Sequence, residues 1–270
     1  MTAGAPDADW PVTMPQPIKG ANAPGKCSRY VLILRVFAAE DGQICYGTED
    51  SATGGRRMPG DVPQPTPIIH MTHMDNLERI FAGGALVATA RLSARGTAFT
   101  NIAYSSIQAQ RAAKRIPCGP GGCLHDYVPF YFTKRSPMLY TINRGNVPCE
   151  GGQGALVHLV STAQKVAGAG LGYAFSDGHG IMSYSSFFDD LAHLGEVDWD
   201  VIRSTQWADT VEDGDRKRRK QAEFLVRDEF PVRLLSGVIV RTENRKAQVE
   251  GLLTRLGMNL QVVANTAWYY

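Results

Sequence analysis

From Pro67 to the terminal "AWYY", short apolar runs of strand length are interleaved irregularly with segments whose apolar residues recur every three or four positions. No G-x-G-x-x-G turn follows any of the strands. A doubly wound nucleotide-binding sheet needs a regular strand–helix–strand rhythm and, for a dinucleotide, a glycine-rich first turn. Neither is present, so the pattern predicts an α+β fold rather than a Rossmann domain. "IIHMT", "YVPFYF", "ALVHLVS", "AEFLVRD", "SGVIVRT" and "LQVVAN" read as strands. "MDNLERIFAGGAL" reads as a helix with Leu77, Ile80 and Phe81 on one face, capped by Asp75 or Asn76 and stopped at Gly83–Gly84. "SSIQAQRAAKRI", "SSFFDDLAHL" and "RKAQVEGLLTRLG" read as further helices.

The 66 residues ahead of this pattern are of another kind. Residues 1–26 are rich in Pro, Ala and Gly and are expected to form a disordered or loosely attached arm. Residues 29–47 read as a hairpin around Asp41–Gly42. The expected organisation is therefore an N-terminal extension over 1–66 and a main domain over 67–270. With a net charge of +2 the protein is not a polycation, so any affinity for nucleic acid must come from local clustering of charge. Five cysteines without regular spacing point to reduced thiols in a cytoplasmic setting. No apolar run approaches the roughly 20 residues that span a bilayer, and the N-terminus lacks the pattern of a signal peptide. The expectation is a soluble, cytoplasmic protein with no membrane partner.

Residues 212–226, "EDGDRKRRKQAEFLV", pose the sharpest chemical question. Five cations from Arg216 to Lys220 precede one carboxylate, Glu223, at the mouth of an apolar strand. Such a carboxylate is either a salt-bridged strand-edge group or a partly desolvated acid beside a cationic loop, able to stabilise positive charge on a substrate. On the strand "IIHMT", His70 and Thr72 share a face while His73 points elsewhere. His70 and Thr72 form a polar pair suited to ribose hydroxyls or an amide, or His70 is a hydrogen-bonded core histidine. Arg111 lies on a helix with Lys114 and Arg115, a group that taken alone reads as a solvated face rather than a phosphate clamp. Lys134 and Arg135 follow a buried strand, and "SDGHG" holds His179 in a polar loop. Cys118, Cys123, His125 and Cys149 are close enough to be tested as zinc ligands, but their spacing is too wide for a structural site and no second C-x-x-C closes one. No metal is expected.

"HMTHMDNLERI", "AYSSIQAQR", "LHDYVPFYFTKRSPMLY", "FSDGHG" and "DRKRRKQAEFLV", in this order, resemble the DarT family of DNA ADP-ribosyltransferase toxins. The resemblance runs from about Pro67 to the C-terminus and leaves 1–66 uncovered. It implies an ADP-ribosyltransferase-like split β-sheet with flanking helices, NAD in the cleft as co-substrate, and transfer of ADP-ribose to a base of single-stranded DNA. Thymine is the implied base, because "LHDYVPFYF" and "KQAEFLV" look more like the thymine-modifying branch than the guanine one. Glu223 falls on the family's catalytic glutamate and Arg111 on its essential arginine. His70 and Thr72, with Asn76 and Tyr104 in support, would hold NAD. Arg135, Met138, His179, Arg216 and Lys217 would meet DNA, with the segment from Trp207 to Gln221 as the substrate loop. The implied partner is an antitoxin whose macrodomain removes the modification. Guanine or RNA as acceptor on the same fold, a non-catalytic nucleic-acid-binding module, and a metal nuclease built on His70 and His73 are the competing readings.

Overall fold

The structure, a computed structural model, describes residues 37–38, 44–45 and 60–270. Its elements are β1 (Phe37–Ala38), β2 (Ile44–Cys45), β3 (Pro67–His73), α1 (Leu77–Ala82), β4 (Ala85–Val87), α2 (Thr89–Ala94), α3 (Ser105–Ala113), β5 (Tyr127–Tyr131), α4 (Pro137–Asn143) and β6 (Leu156–Thr162). There follow α5 (Ala163–Gly168), β7 (Tyr173–Ser176), β8 (Phe187–Phe188), α6 (Trp199–Arg203), α7 (Arg216–Arg219), β9 (Glu223–Arg227), β10 (Glu229–Pro231), β11 (Gly237–Val240), α8 (Glu243–Arg255) and β12 (Val262–Ala264). β1 and β2 pair antiparallel, Phe37 with Cys45 and Ala38 with Ile44, inside the expected hairpin. The rest of that hairpin and the expected arm over 1–26 lie outside the described residues.

Eight strands form one sheet in the order β12-β11-β6-β3-β5-β9-β7-β8. All neighbours are antiparallel except β11 and β12. Most ladders run the length of their strands, and β3 pairs with β6 from Pro67↔Thr162 to His73↔Leu156. The β3–β5 seam differs, because Ile69↔Tyr131 is its single register pair. Among the described residues no further ladder pair joins the two strands, and His70, Thr72, Val128, Pro129 and Tyr131 from both of them line one cavity. This is the split sheet of the expected α+β fold.

Alternation along the strands explains the layering. Ile68, Val157, Leu159, Val238, Phe224 and Val226 face one large core, closed by Leu77, Ile80 and Phe81 of α1, Val166 of α5 and Leu252 and Leu253 of α8. Ile69, Met71, Leu156, Val160 and Ile239 face the other side, against Leu139 and Ile142 of α4, Trp268 and Tyr269. Leu225 turns to a smaller cluster with Ile116, Leu124, Tyr127 and Ala174. By the same alternation Glu223 shares the face of Leu225, away from the large core.

Three sequence expectations are corrected. "SSFFDDLAHL" is not one helix, because Phe187 and Phe188 pair with β7 and a 3-10 turn over Leu191–Glu196 follows. The Phe188 ring stacks on Phe175 at 5.3 Å, a sheet contact that outweighs local helix propensity. α3 ends at Ala113, so Lys114 and Arg115 do not continue the face of Arg111; Lys114 is extended and Arg115 bridges to Cys123. Neither Asp75 nor Asn76 caps through its side chain, since His73 Nδ1 accepts the Asp75 amide at the start of that turn.

Candidate active site

Glu223 opens β9 opposite Tyr131 of β5, at the edge of the split. It is 2% exposed and therefore needs partners. Nη1 of Arg111, in the last turn of α3, donates to both its oxygens, at 3.0 Å to Oε1 and 2.8 Å to Oε2. The Gly180 amide donates to Oε1 at 3.2 Å. The fit at 180 is tight, since a Cβ there would lie 3.2 Å from Oε1 and 3.3 Å from the Leu124 methyls, so a larger residue would press on the carboxylate. Arg111 is 9% exposed, and its Nη2 is buried without a hydrogen-bond partner. A buried guanidinium N–H left open beside a cavity is a donor held ready for a ligand acceptor.

The turn that supplies Gly180 is fixed from behind. The His179 amide donates to the Arg218 carbonyl at 2.9 Å, and Ser176 Oγ donates to the Gly178 carbonyl at 2.6 Å. Burial pushes the His179 ring down to about 4, with the Arg111 and Lys217 charges acting the same way and the Glu223 charge opposing them, so it is neutral near pH 7. Across the split, His70 Nδ1 lies 2.7 Å from the Pro129 carbonyl. A carbonyl accepts only, so Nδ1 carries the proton. Burial lowers the His70 pKa, and in the neutral ring Nε2 is then an acceptor. Thr72 Oγ1 accepts from Asn76 Nδ2 at 3.1 Å, which leaves its own hydroxyl proton as remaining donor capacity. Asn76 also clamps Thr100 through both backbone groups, at 2.9 Å each. It is thus the pin of the loop over 97–104.

His70, Thr72, Asn76, Arg111, Met138, His179 and Glu223 line one cavity of about 380 Å³, which continues past Arg79 and Phe99 to Arg95. Glu223 is the one carboxylate among its lining residues. Such an arrangement can hold a large polar ligand while presenting a fixed anion, a neutral imidazole acceptor and an unpaired guanidinium donor at one end. The matching family model, described as "ssDNA thymidine ADP-ribosyltransferase, DarT", covers residues 69–270. This chain belongs to the DarT family.

It is similar to the DNA ADP-ribosyl transferase of Thermus sp. (strain 2.9), at 42% identity over 210 residues, 77% of this chain and 98% of that one. A solved structure of Thermus sp. 2.9 DarT in complex with ADP-ribosylated ssDNA matches it with a TM-score of 0.74 at 41% identity, over 79% of this chain and 100% of that one. The same Thermus protein in complex with NAD+ matches with a TM-score of 0.69 at 39% identity, over 78% of this chain and 100% of that one. The split-sheet DarT fold and an ADP-ribosyltransferase with NAD as co-substrate are what these matches share with the sequence reading.

Four of the sequence candidates do not line the cavity. Tyr104 is at the N-cap of α3, and its hydroxyl donates to the Asn146 carbonyl at 2.8 Å. Arg135 lays its guanidinium over the Tyr270 ring at 5.4 Å. Arg216 donates to the Gln206 carbonyl at 2.5 Å and lies 3.7 Å from Asp213. Lys217 is near enough for its charge to act on His179. The basic run as a whole is not a solvated patch. Arg218 donates to Asp215, Asp177 and Ser185. Arg219 pairs with Asp198 and Asp213. Lys220 is buried, its ammonium reaching the carbonyls of Val201, Ile202 and Ser204 at 3.2, 2.7 and 2.7 Å. Burial, with the charges of Lys134, Arg135 and Arg216, pushes Lys220 down to about 7.

Sequence reasoning missed Tyr131, Gln108 and Gly180. The alternation Tyr127, Pro129, Tyr131 along "YVPFY" was the available signal for the first. Burial, and then the charge of Glu223, raises the Tyr131 pKa, so its phenol stays protonated. Gln108 lies one helical turn before Arg111 and receives His125 Nε2 at 2.7 Å. Cys118, Cys123 and Cys149 are free thiols, and among the described residues no group of three or more His, Cys, Asp and Glu is arranged to hold a metal ion.

Proposed function

We propose that residues 67–270 transfer ADP-ribose from NAD to a ring nitrogen of thymine in single-stranded DNA. In this reaction the bond from ribose C1′ to nicotinamide breaks and its electron pair leaves with neutral nicotinamide. C1′ gains oxocarbenium character, the thymine N3–C1′ bond forms, and the N3 proton passes to a base. Glu223 stabilises the cation, because it is the one carboxylate on the cavity wall and is fixed before the reaction by Arg111 and Gly180. The same carboxylate is the anionic acceptor for the released proton. His70, Thr72 and Asn76 bind NAD, and the Arg111 Nη2 hydrogen meets a ligand oxygen. Met138 and His179 line the acceptor side, and Arg135, Arg216 and Lys217 lie beyond it along the strand. Tyr104 supports the site from behind α3. A base inside a duplex hides N3, so the substrate is unpaired DNA.

The observation that carries this reading is the buried Glu223–Arg111 pair at the β3–β5 split, in a cavity shared with His70 and Thr72. The family match over 69–270 and the DNA-bound and NAD-bound Thermus relatives support it. A cell that houses such an activity needs a means of reversing it, so an antitoxin with an ADP-ribose-removing macrodomain is the partner proposed, and the cytoplasm, where NAD and single-stranded DNA meet, the location. Among the described residues no helix is long and apolar enough to cross a membrane.

The test is incubation of the purified protein with NAD and single-stranded oligonucleotides differing in thymine and guanine content, followed by mass spectrometry. The expected result is a gain of one ADP-ribose on thymine-containing strands that disappears in Glu223→Ala. Modification of guanine or of RNA alone would overturn the choice of acceptor. No modification of any strand would overturn the reading.

A further inference from the structure

Among the described residues, two large hydrophobic side chains stand exposed, Val211 fully and Tyr184 at 60%. A single exposed aromatic is ordinary. Tyr184 differs because its backbone and one ring face are held firmly beside the candidate active site. It sits in the tight turn that begins at His179, a residue of the cavity wall. The Met182 amide and Ser185 Oγ both donate to the His179 carbonyl, at 3.0 and 2.8 Å. Lys114 Nζ reaches the Met182 carbonyl at 3.0 Å, and the Ser186 amide donates to Asp177 at 2.9 Å. Arg218 Nη1 joins Asp177 and Ser185 at 2.8 and 3.2 Å and lays its guanidinium over the Tyr184 ring, 5.3 Å from the centroid. One face of the ring is therefore covered by a cation. The turn presents the remainder to solvent.

We infer that Tyr184 is a stacking platform for a nucleobase adjacent to the modified one in single-stranded DNA. The inference rests on the proposed reading of the site. A strand whose target base enters the cavity past His179 must carry its neighbours out along the wall that this turn forms. Every base has a π-face, so a fixed aromatic binds a neighbour with little regard to its identity. The six hydrogen bonds hold the turn before the strand arrives, so little ordering cost falls on binding.

The experiment uses an oligonucleotide with a single target thymidine and a series of derivatives with one flanking nucleotide at a time made abasic. With wild-type protein, one flanking position should raise KM for the strand about tenfold when its base is removed, the scale of one base–aromatic stack. Tyr184→Ala should show that same rise, of about tenfold, on the intact strand and no further rise at the abasic position. Tyr184→Phe and Tyr184→Trp should restore the wild-type KM, which a purely structural role of the hydroxyl would not allow. Equal sensitivity of wild type and Tyr184→Ala at every abasic position, or a KM of Tyr184→Ala within about twofold of wild type, overturns the inference. If the wild type modifies no strand at all, the reading of the site and this inference fall together.

Discussion

Replacing Glu223 with Gln separates the charge of this group from its shape. The amide fits the same space, and its oxygen still accepts from the Gly180 amide at the 3.2 Å position. It loses the negative charge that faces Arg111 Nη1 at 2.8 Å, and its new N–H₂ opposes those donors. Removal of one preorganised electrostatic group from an acyl-transfer site costs about 10²–10³ in kcat, or roughly 3–4 kcal/mol. In the proposed mechanism the cationic C1′ faces this one carboxylate, so the same range is expected here. Stability should fall less than the ~3–5 kcal/mol typical of a broken buried pair, because Arg111 borders an open cavity and Gln keeps an acceptor. About 1–2 kcal/mol is expected, a loss of a few degrees in Tm. The assay is single-turnover transfer to a thymine oligonucleotide, with the Kd of NAD measured by calorimetry on the same preparations. The reasoning requires kcat to collapse while Kd stays within about threefold of wild type. A kcat within about threefold of wild type would refute it, as would a loss explained entirely by weakened NAD binding.

Asn76→Ala removes three hydrogen bonds to Thr72 and Thr100 and should raise KM for NAD while costing about 1–3 kcal/mol of stability, checked by calorimetry and thermal melting. His158, buried against the Trp268 and Tyr269 rings, is pushed down to about 3 by desolvation, and His179 to about 4. The unfolded chain takes up both protons near 6.5 and the folded chain does not, so stability is full above pH 6.5 and falls as pH drops from there toward 4. Each histidine contributes roughly 1.4 kcal/mol per pH unit in that window, and His158→Phe should remove one such share from urea-unfolding curves. Identical pH slopes for wild type and variant would sink that assignment. Lys217→Ala should lower the slope of log affinity against log salt for single-stranded DNA by about 0.7, the share of one phosphate contact. Parallel salt lines would take Lys217 off the strand.

The strands that build the split were legible because alternation and β-branched content are local properties, as in "ALVHLVS" for β6 and "SGVIVRT" for β11. Glu223 was legible for a related reason, since an acid at the first position of an apolar strand conflicts with its neighbours. Asn76 was read as a cap or a ligand-binding residue. Its clamp on Thr100 lies 24 residues away, and no local pattern reports it. Tyr104 precedes α3 as its N-cap and bonds to Asn146, whereas Arg111, in the last turn of α3, reaches Glu223 in the cavity, and both partners are distant in sequence. The strand at Phe187–Phe188 was hidden because its pairing partner, β7, is too short to stand out by period.

The cations at 216–220 carry the largest gap between pattern and structure, and they explain how the acid is aimed. A run of like charge predicts mutual repulsion and solvation. Here its partners Asp177, Asp198, Asp213 and Asp215 come from three segments, so the run folds onto them as α7. Arg218 then faces two ways. Its guanidinium ties Asp177 at 2.8 Å, while its carbonyl takes the His179 amide at 2.9 Å. The next amide, of Gly180, is thereby directed to Glu223. Lys220 fastens the end of α6 immediately before the turn into β9. The carboxylate is thus fixed by the residues that precede it in sequence, and Arg111 meets it with one nitrogen, leaving Nη2 unpaired. A buried donor without a partner costs about 1–3 kcal/mol. A ligand oxygen meeting this donor, as proposed above, would relieve that cost, so it would work toward binding the substrate rather than toward the stability of the fold.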